Sequence, residues 1–401
     1  MITIRTTTLL AATAAIGLTV ALGGCGTSGG TGHAHPDAAR ATTAAAAPRG
    51  TAVKSSQPAP LAGMPPVLDP KDLYAADRPG RLSPVVKKFP SLVYVPNTNS
   101  NTVNVIDPKT YKVIRTIPVG VQPQHVVPSW DLKTLWVNND RGNSLTPINP
   151  ANGKVGKTLA VHDPYNLYFT PNGKYAIVMA SQDRQLVFRD PHTMKVRKTL
   201  PVTCAGVNHA DFSADGRYFI VSCEFSGELL KVDTEKMKVV GQQKLPFKGA
   251  MPQDVKISPD GRTFYIADMM ADGVWVLPAD KFTTPKLLHT GKGCHGLYIS
   301  RDSKEMYISN RGEGTISVFG FARNKLLKKW SLPGGGSPDM GGVSADGKVL
   351  WLTGRYNAEV YAIDTTSGKQ LARIPVGSGP HGLAVYPQPG RYSLGHTGIF
   401  R

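Results

Sequence analysis

Seven short stretches of this 401-residue chain bring polar and metal-capable side chains to equivalent positions: Pro123-Gln-His125, Pro164-Tyr-Asn166, Val207-Asn-His209, Pro252-Gln-Asp254, Cys294-His-Gly296, Pro338-Asp-Met340 and Pro380-His-Gly382. Four of them supply histidine, His125, His209, His295 and His381, and Asn166, Asp254, Asp339, Met340 and Met251 complete the group. Imidazoles and carboxylates gathered from separate segments form a partly dehydrated cup that can bind a cation or an oxyanion. The same residue types could run acid–base chemistry on a lactone or lyase substrate, with His209 or His381 as base and Asp254 or Asp339 orienting it. A single polar residue at the start of a strand commonly satisfies loop backbone or lines a water-filled channel. A site is therefore implied by the set and not by any one residue.

Register complicates that set. His125 and His209 share one position, while His295 and His381 sit one residue earlier. In a regular strand a one-residue offset sends side chains to opposite faces, so the four meet only if the strand starts are irregular.

The cysteines are Cys25, Cys204, Cys223 and Cys294. Counting across the turn Ala214-Asp-Gly-Arg217 sets Cys223 beside about Asn208, close to Cys204, which makes a Cys204–Cys223 disulfide reasonable. Cys294 is then a free thiol beside His295. With Met340 these are soft ligands suited to copper, against the alternative that Cys294 is a small buried hydrophobe. No compact ligand spacing such as C-x-x-C exists, so no cofactor is assigned and copper stands as the alternative.

These residues must be held by repeated elements. One phrase, clearest as Asn101-Thr-Val-Asn-Val-Ile-Asp107, recurs with its ends at Asn149, Asp190, Asp233, Pro278, Gly320 and Asp364, at intervals of 41 to 45 residues. Between copies comes a hydrophobic strand closing on a turn, as in Phe212-Ser-Ala-Asp-Gly216, Ile257-Ser-Pro-Asp-Gly261 and Val343-Ser-Ala-Asp-Gly347. A period in the forties built of short alternating strands is the pattern of a β-propeller with one blade per repeat. Seven copies predict an all-β, seven-bladed propeller over 91–388. Leu92-Val-Tyr-Val95 reads as a second strand without a first, and Gly382-Leu-Ala-Val-Tyr386 as a first strand without a second. Pairing the C-terminal strand into the N-terminal blade removes both open edges.

The repeats resemble the YVTN-type seven-bladed propeller family in Tyr94-Val-Pro-Asn97, Tyr307-Ile-Ser-Asn310, Asn101-Thr-Val-Asn-Val-Ile-Asp107 and Gly379-Pro-His-Gly-Leu-Ala-Val385, over roughly 90 to 388. The resemblance implies the architecture. It leaves activity open, because such propellers serve as binding scaffolds, lactonases, lyases and electron-transfer platforms. A covalent haem site would need C-x-x-C-H, which is absent. Similarity to nitrous oxide reductase stops at the blades, since that family rings its copper cluster with seven histidines and here four strand starts carry one. The eight Trp-bearing blades of quinoprotein dehydrogenases are missing too.

Ahead of the repeats, Arg5, an apolar run from Leu9 to Leu22 and Leu22-Gly-Gly-Cys25 read as a lipoprotein signal over 1–24, with lipidation at Cys25. The composition of 25–66 is rich in Ala, Thr, Gly and Pro and predicts a disordered tether. Residues 67–90, with Leu68, Leu73, Tyr74, Leu82 and Val85-Val86, form an irregular flanking segment. The tail, 389–401, carries His396 and Ile399-Phe400 and either covers an end of the ring or hangs free. Formal charge is +18, densest at Lys87-Lys88, Lys154 to Lys157, Lys195 to Lys198 and Lys325 to Lys329. Spread over the repeats, it fits a solvated surface or attraction to anionic cell-envelope polymers. Nucleic acid is not expected, as stacking aromatics do not interleave with the charge. The expectation is a monomeric, lipid-anchored extracytoplasmic module that binds a small molecule or protein at the channel mouth. The alternative is an enzyme of lactonase or lyase type, or a copper-holding redox protein.

Overall fold

The computed structural model describes residues 59–396 and 398–401. The expected lipoprotein signal, Cys25 and most of the expected tether lie outside the described residues. Seven antiparallel sheets follow one another around an axis. Blade 4 is typical, with Val207–Phe212 innermost, then Tyr218–Cys223, Glu228–Asp233 and Lys238–Lys244. Innermost strands elsewhere are Pro123–Pro128, Asn166–Phe169, Pro252–Ile257, Cys294–Ile299 and Pro338–Val343. In blade 1, Ala384–Tyr386 is innermost and pairs with Leu92–Asn97, with Val93 opposite Val385.

The turn phrase works through its side chains. Ser213 donates to the Asp215 carboxylate at 2.6 Å, and that carboxylate accepts the Arg217 amide at 3.1 Å. Ser258 with Asp260, and Ser344 with Asp346, repeat the arrangement. Gly216 follows with φ +68°, a left-handed turn position that favours glycine. Local side-chain bonding thus closes the same hairpin in successive blades.

Apolar side chains alternate onto both faces of each sheet and are buried between neighbours. One cluster joins Phe188 and Leu186 of blade 3 to Phe212, Phe219 and Leu230 of blade 4; another joins Ile220 and Leu229 of blade 4 to Val255, Phe264 and Ile266 of blade 5. The remaining junctions repeat this, including Val93 and Ile106 of blade 1 against Trp351 and Val360 of blade 7. No blade owns a core, so the ring folds as a unit. Disulfide-linked Cys204 and Cys223 lie in the junction of blades 3 and 4.

Segments outside the repeats fill the side where the Asp-Gly turns lie. Residues 59–66, assigned by composition to the tether, pack against that side: Leu61 is buried and its amide donates to the Asp215 carbonyl. Leu73 donates to the Pro259 carbonyl, and the Tyr74 hydroxyl to that of Ile257. Leu73, Tyr74 and Val86 are buried, whereas Leu68 and Val85 stay exposed.

The tail packs on the turn side of the ring, where Tyr392 stacks on Trp130, and enters the bore from there. Ser393–Gly395 and Ile399–Phe400 form a hairpin that joins the inner edge of Asn166–Phe169, giving blade 3 six strands. The tail therefore runs inside the channel. Gly395 is required there: its φ is +97°, and a Cβ would lie 2.4 Å from the Leu167 carbonyl oxygen. Arg401 anchors the end through Asp211 at 3.0 Å, with its guanidinium 4.5 Å from the Tyr74 ring centre.

Candidate metal centre

The strand starts are irregular in the way convergence demands. Pairing registers shift between Pro123 and His125, Val207 and Ala210, Pro252 and Val255, Cys294 and Leu297, and Pro338 and Gly341. Each shift is a β-bulge, which re-aims side chains at the rim of a sheet. His125, His209, His295 and His381 consequently meet on the axis despite their offset positions, and the tail adds His396. All five are at most 2% exposed. Ring centres are 4.9 Å apart for His125 and His381, 5.6 Å for His125 and His209, 5.3 Å for His125 and His396, and 4.8 Å for His209 and His396. A tetrahedral ion about 2 Å from each nitrogen would set ring centres roughly 5 Å apart. One ligand atom from each of His125, His209 and His396 lies within 4.8 Å of the others.

Hydrogen bonding fixes which nitrogen faces the middle. His125 Nδ1 is 2.9 Å from the Tyr165 carbonyl oxygen, so it carries the proton and Nε2 the lone pair. His381 Nδ1 donates to Asp339 Oδ2 at 2.7 Å, with the same result. His396 turns Nε2 toward Asp254 Oδ1 at 3.4 Å. The Asn166 amide lies between His209 Nδ1, at 3.3 Å, and His396 Nδ1, at 3.0 Å. The amide oxygen accepts the Leu167 amide and the amide nitrogen faces the Asn208 carbonyl, so it is the nitrogen that turns to both rings, their Nδ1 atoms accept, and Asn166 sets tautomers in the group. Asp254 also accepts the Val255 and Leu297 amides. His295 Nδ1 lies 3.2 Å from Asp339 Oδ1 and 3.0 Å from Met340 Sδ.

The Nε2 atoms of His125, His209 and His381 are buried without a hydrogen-bond partner. An orphaned buried polar atom costs about 1–3 kcal/mol, and native interiors tolerate few. Two of these rings, His209 and His381, lie against the third, His125, so the three atoms are coherent as vacant ligand positions.

Electrostatics hold the imidazoles neutral, the form that ligates. Burial first, then the neighbouring His381 and His396, keep His125 well below the ordinary histidine range. Burial does the same for His209 and His295. Burial and then Arg355 bring His381 down to about 4. Burial alone would raise Asp339, but His295, Arg311 and His381 reverse this and hold it well below the usual carboxylate range; Arg311 Nη1 is 3.0 Å from Asp339 Oδ1.

Two sequence candidates do not join the group. Cys294 packs with Tyr265, Ala267 and Met306 between blades 5 and 6, facing away from its neighbour His295 as successive strand residues do. Burial pushes its thiol up to about 12, the setting of a protonated core residue. Met251 lies half-buried, its amide donating to Asp268. Sequence reasoning missed His396, because the tail has no place in the repeat register. It also missed Arg311 and Arg355, although each directly follows the second strand of its blade, Glu305–Asn310 and Val349–Gly354.

Fold and axial chamber together define a seven-bladed propeller with a histidine-lined centre. A model of the YNCE-like β-propeller family matches residues 61–389, and the chain belongs to that family. The YncE protein of Salmonella typhi, itself uncharacterised, is 22% identical over 263 residues, 62% of this chain and 73% of that protein. A hydrazine synthase chain of Kuenenia stuttgartiensis superposes with a TM-score of 0.59 at 18% identity, covering 71% of this chain and 98% of its own. Dihydro-heme d1 dehydrogenase NirN, solved in complex with DHE, gives 0.56 at 15% identity over 82% and 78%. At these identities the likeness concerns the fold alone.

Proposed function

We propose that this chain is a binding module whose ligand is one first-row transition-metal ion, held on the propeller axis by His125, His209 and His381 through Nε2, with His396 of the tail as the fourth imidazole. The observation that carries this is the gathering of His125, His209 and His396, with one ligand atom of each within 4.8 Å of the others, beside buried and unpartnered Nε2 atoms on His125, His209 and His381. Imidazole suits copper, zinc, nickel and iron, and copper(II) binds such donors most tightly among divalent ions of that row. Copper is therefore the favoured ion. Asp339 and Asp254 act behind His381 and His396 as carboxylates that orient the rings and raise their basicity. Copper(II) added to metal-stripped protein should give an electron paramagnetic resonance spectrum with nitrogen hyperfine splitting from imidazoles. A spectrum of oxygen-ligated copper, unchanged in His209→Ala, would remove the axial chamber as the site.

A second reading draws on the His381–Asp339 pair, whose geometry is that of a base and its orienting carboxylate. Lactone turnover lost in His381→Ala would favour it, and none is expected from a metal-filled chamber.

The proposed address is the outer face of the cytoplasmic membrane, through lipid on Cys25. A Cys204–Cys223 disulfide suits an oxidising compartment, and the +18 charge suits anionic envelope polymers. Mass spectrometry of the mature N-terminus tests the anchor: an unmodified Cys25 in membrane-extracted protein would refute it.

A further inference from the structure

Above the imidazoles the mouth is lined by residues that each follow a second strand: Thr98, Glu224, Met269, Arg311 and Arg355. Arg311, its side chain 9% exposed, is paired with Asp339 and contacts Met269 Sδ. Arg355 differs. Its Nη1 donates to Thr98 Oγ1 at 3.2 Å, yet among the described residues no carboxylate lies within ion-pair distance of it. It is half-buried and close enough to bear on His125, His295 and His381.

Charge makes this arrangement incomplete once an ion is bound. A divalent ion with Arg311, Arg355 and Lys256 outweighs the four nearby carboxylates, Asp140, Asp254, Asp339 and Glu224. Uncompensated charge in a dehydrated site costs several kcal/mol, and a guanidinium fork is shaped for a planar anion with two oxygens.

We propose, resting on the metal reading above, that the outward-facing position of the axial ion takes a small carboxylate-sized anion, balanced from the mouth by Arg355. The step is a ligand substitution: an anion lone pair forms the bond to the ion, a bound water leaves, and no electron is transferred.

The test uses copper-loaded full-length protein titrated with azide, read by the azide-to-copper charge-transfer band, and then with formate, read by loss of that band. Arg355→Met should weaken both anions at least about tenfold with copper content unchanged, and Arg355→Lys should recover part of the loss. Equal affinities in native and Arg355→Met protein, or no azide band in native protein, overturn the proposal while leaving the metal reading intact. Copper content measured on the same samples separates the two, since a protein that takes up no copper overturns both.

Discussion

At the scale of single residues, adjacent positions on one strand have opposite fates. Cys294 and His295 looked like one soft ligand pair in the sequence, and alternation splits them between core and axis. Cys294→Ala should therefore leave metal content unchanged and cost about 1–2 kcal/mol of stability as a small cavity; loss of metal with the thiol would contradict this. Asn166, read first only as one polar residue at the mouth, bridges His209 and His396. Asn166→Leu should lower metal affinity some 10–100-fold, the usual effect of losing a group that orients ligands, and equilibrium competition with a chromophoric chelator would measure it. Asp77, buried beneath the ring, was unremarkable in sequence. Burial, only partly opposed by Arg301 and Arg401, raises its carboxyl from 3.8 to about 7. The folded chain thus keeps a proton that the unfolded chain releases near 3.8. Its contribution is complete below that pH and is lost as pH rises through 7. Asp77→Asn should gain melting temperature over native protein from pH 5 to pH 8, and a pH-independent gap would refute the assignment.

At the scale of elements, the strands were legible because their signals are local. An Asp-Gly turn ahead of Tyr218–Cys223, Ser226-Gly227 ahead of Glu228–Asp233 and alternating apolar residues mark these two strands. The bulges at the starts of inner strands were not legible, since a bulge is set by where neighbouring blades press the backbone. The offset of His295 and His381 against His125 and His209 was nevertheless their trace in the sequence. The tail was the least legible element, as Gly395 and His396 acquire meaning only beside Leu167 and the axial rings. Gly395→Ala should destabilise the tail by about 1–3 kcal/mol, from a strained backbone and the Leu167 contact. Limited proteolysis should then cut first near the C-terminus, and an unchanged digestion pattern would contradict insertion of the hairpin into the channel.

At the scale of the whole molecule, seven shared junctions make a ring that gathers one side chain from each of several blades at a single axis. The segments flanking the repeats do not follow the repeat rule, yet both pack on the ring: the one from 59 lies along one side, and the tail fills the bore. The period in the forties revealed the ring; it could not reveal a plug assembled from outside the repeats. An ion at that axis is what the buried imidazoles are proposed to hold. Full-length protein purified without an affinity tag after growth with copper, and analysed for elements, should hold about one copper per chain and lose it in the double variant His209→Ala, His381→Ala. Native protein without metal, or a double variant that is folded and still fully loaded, would contradict it.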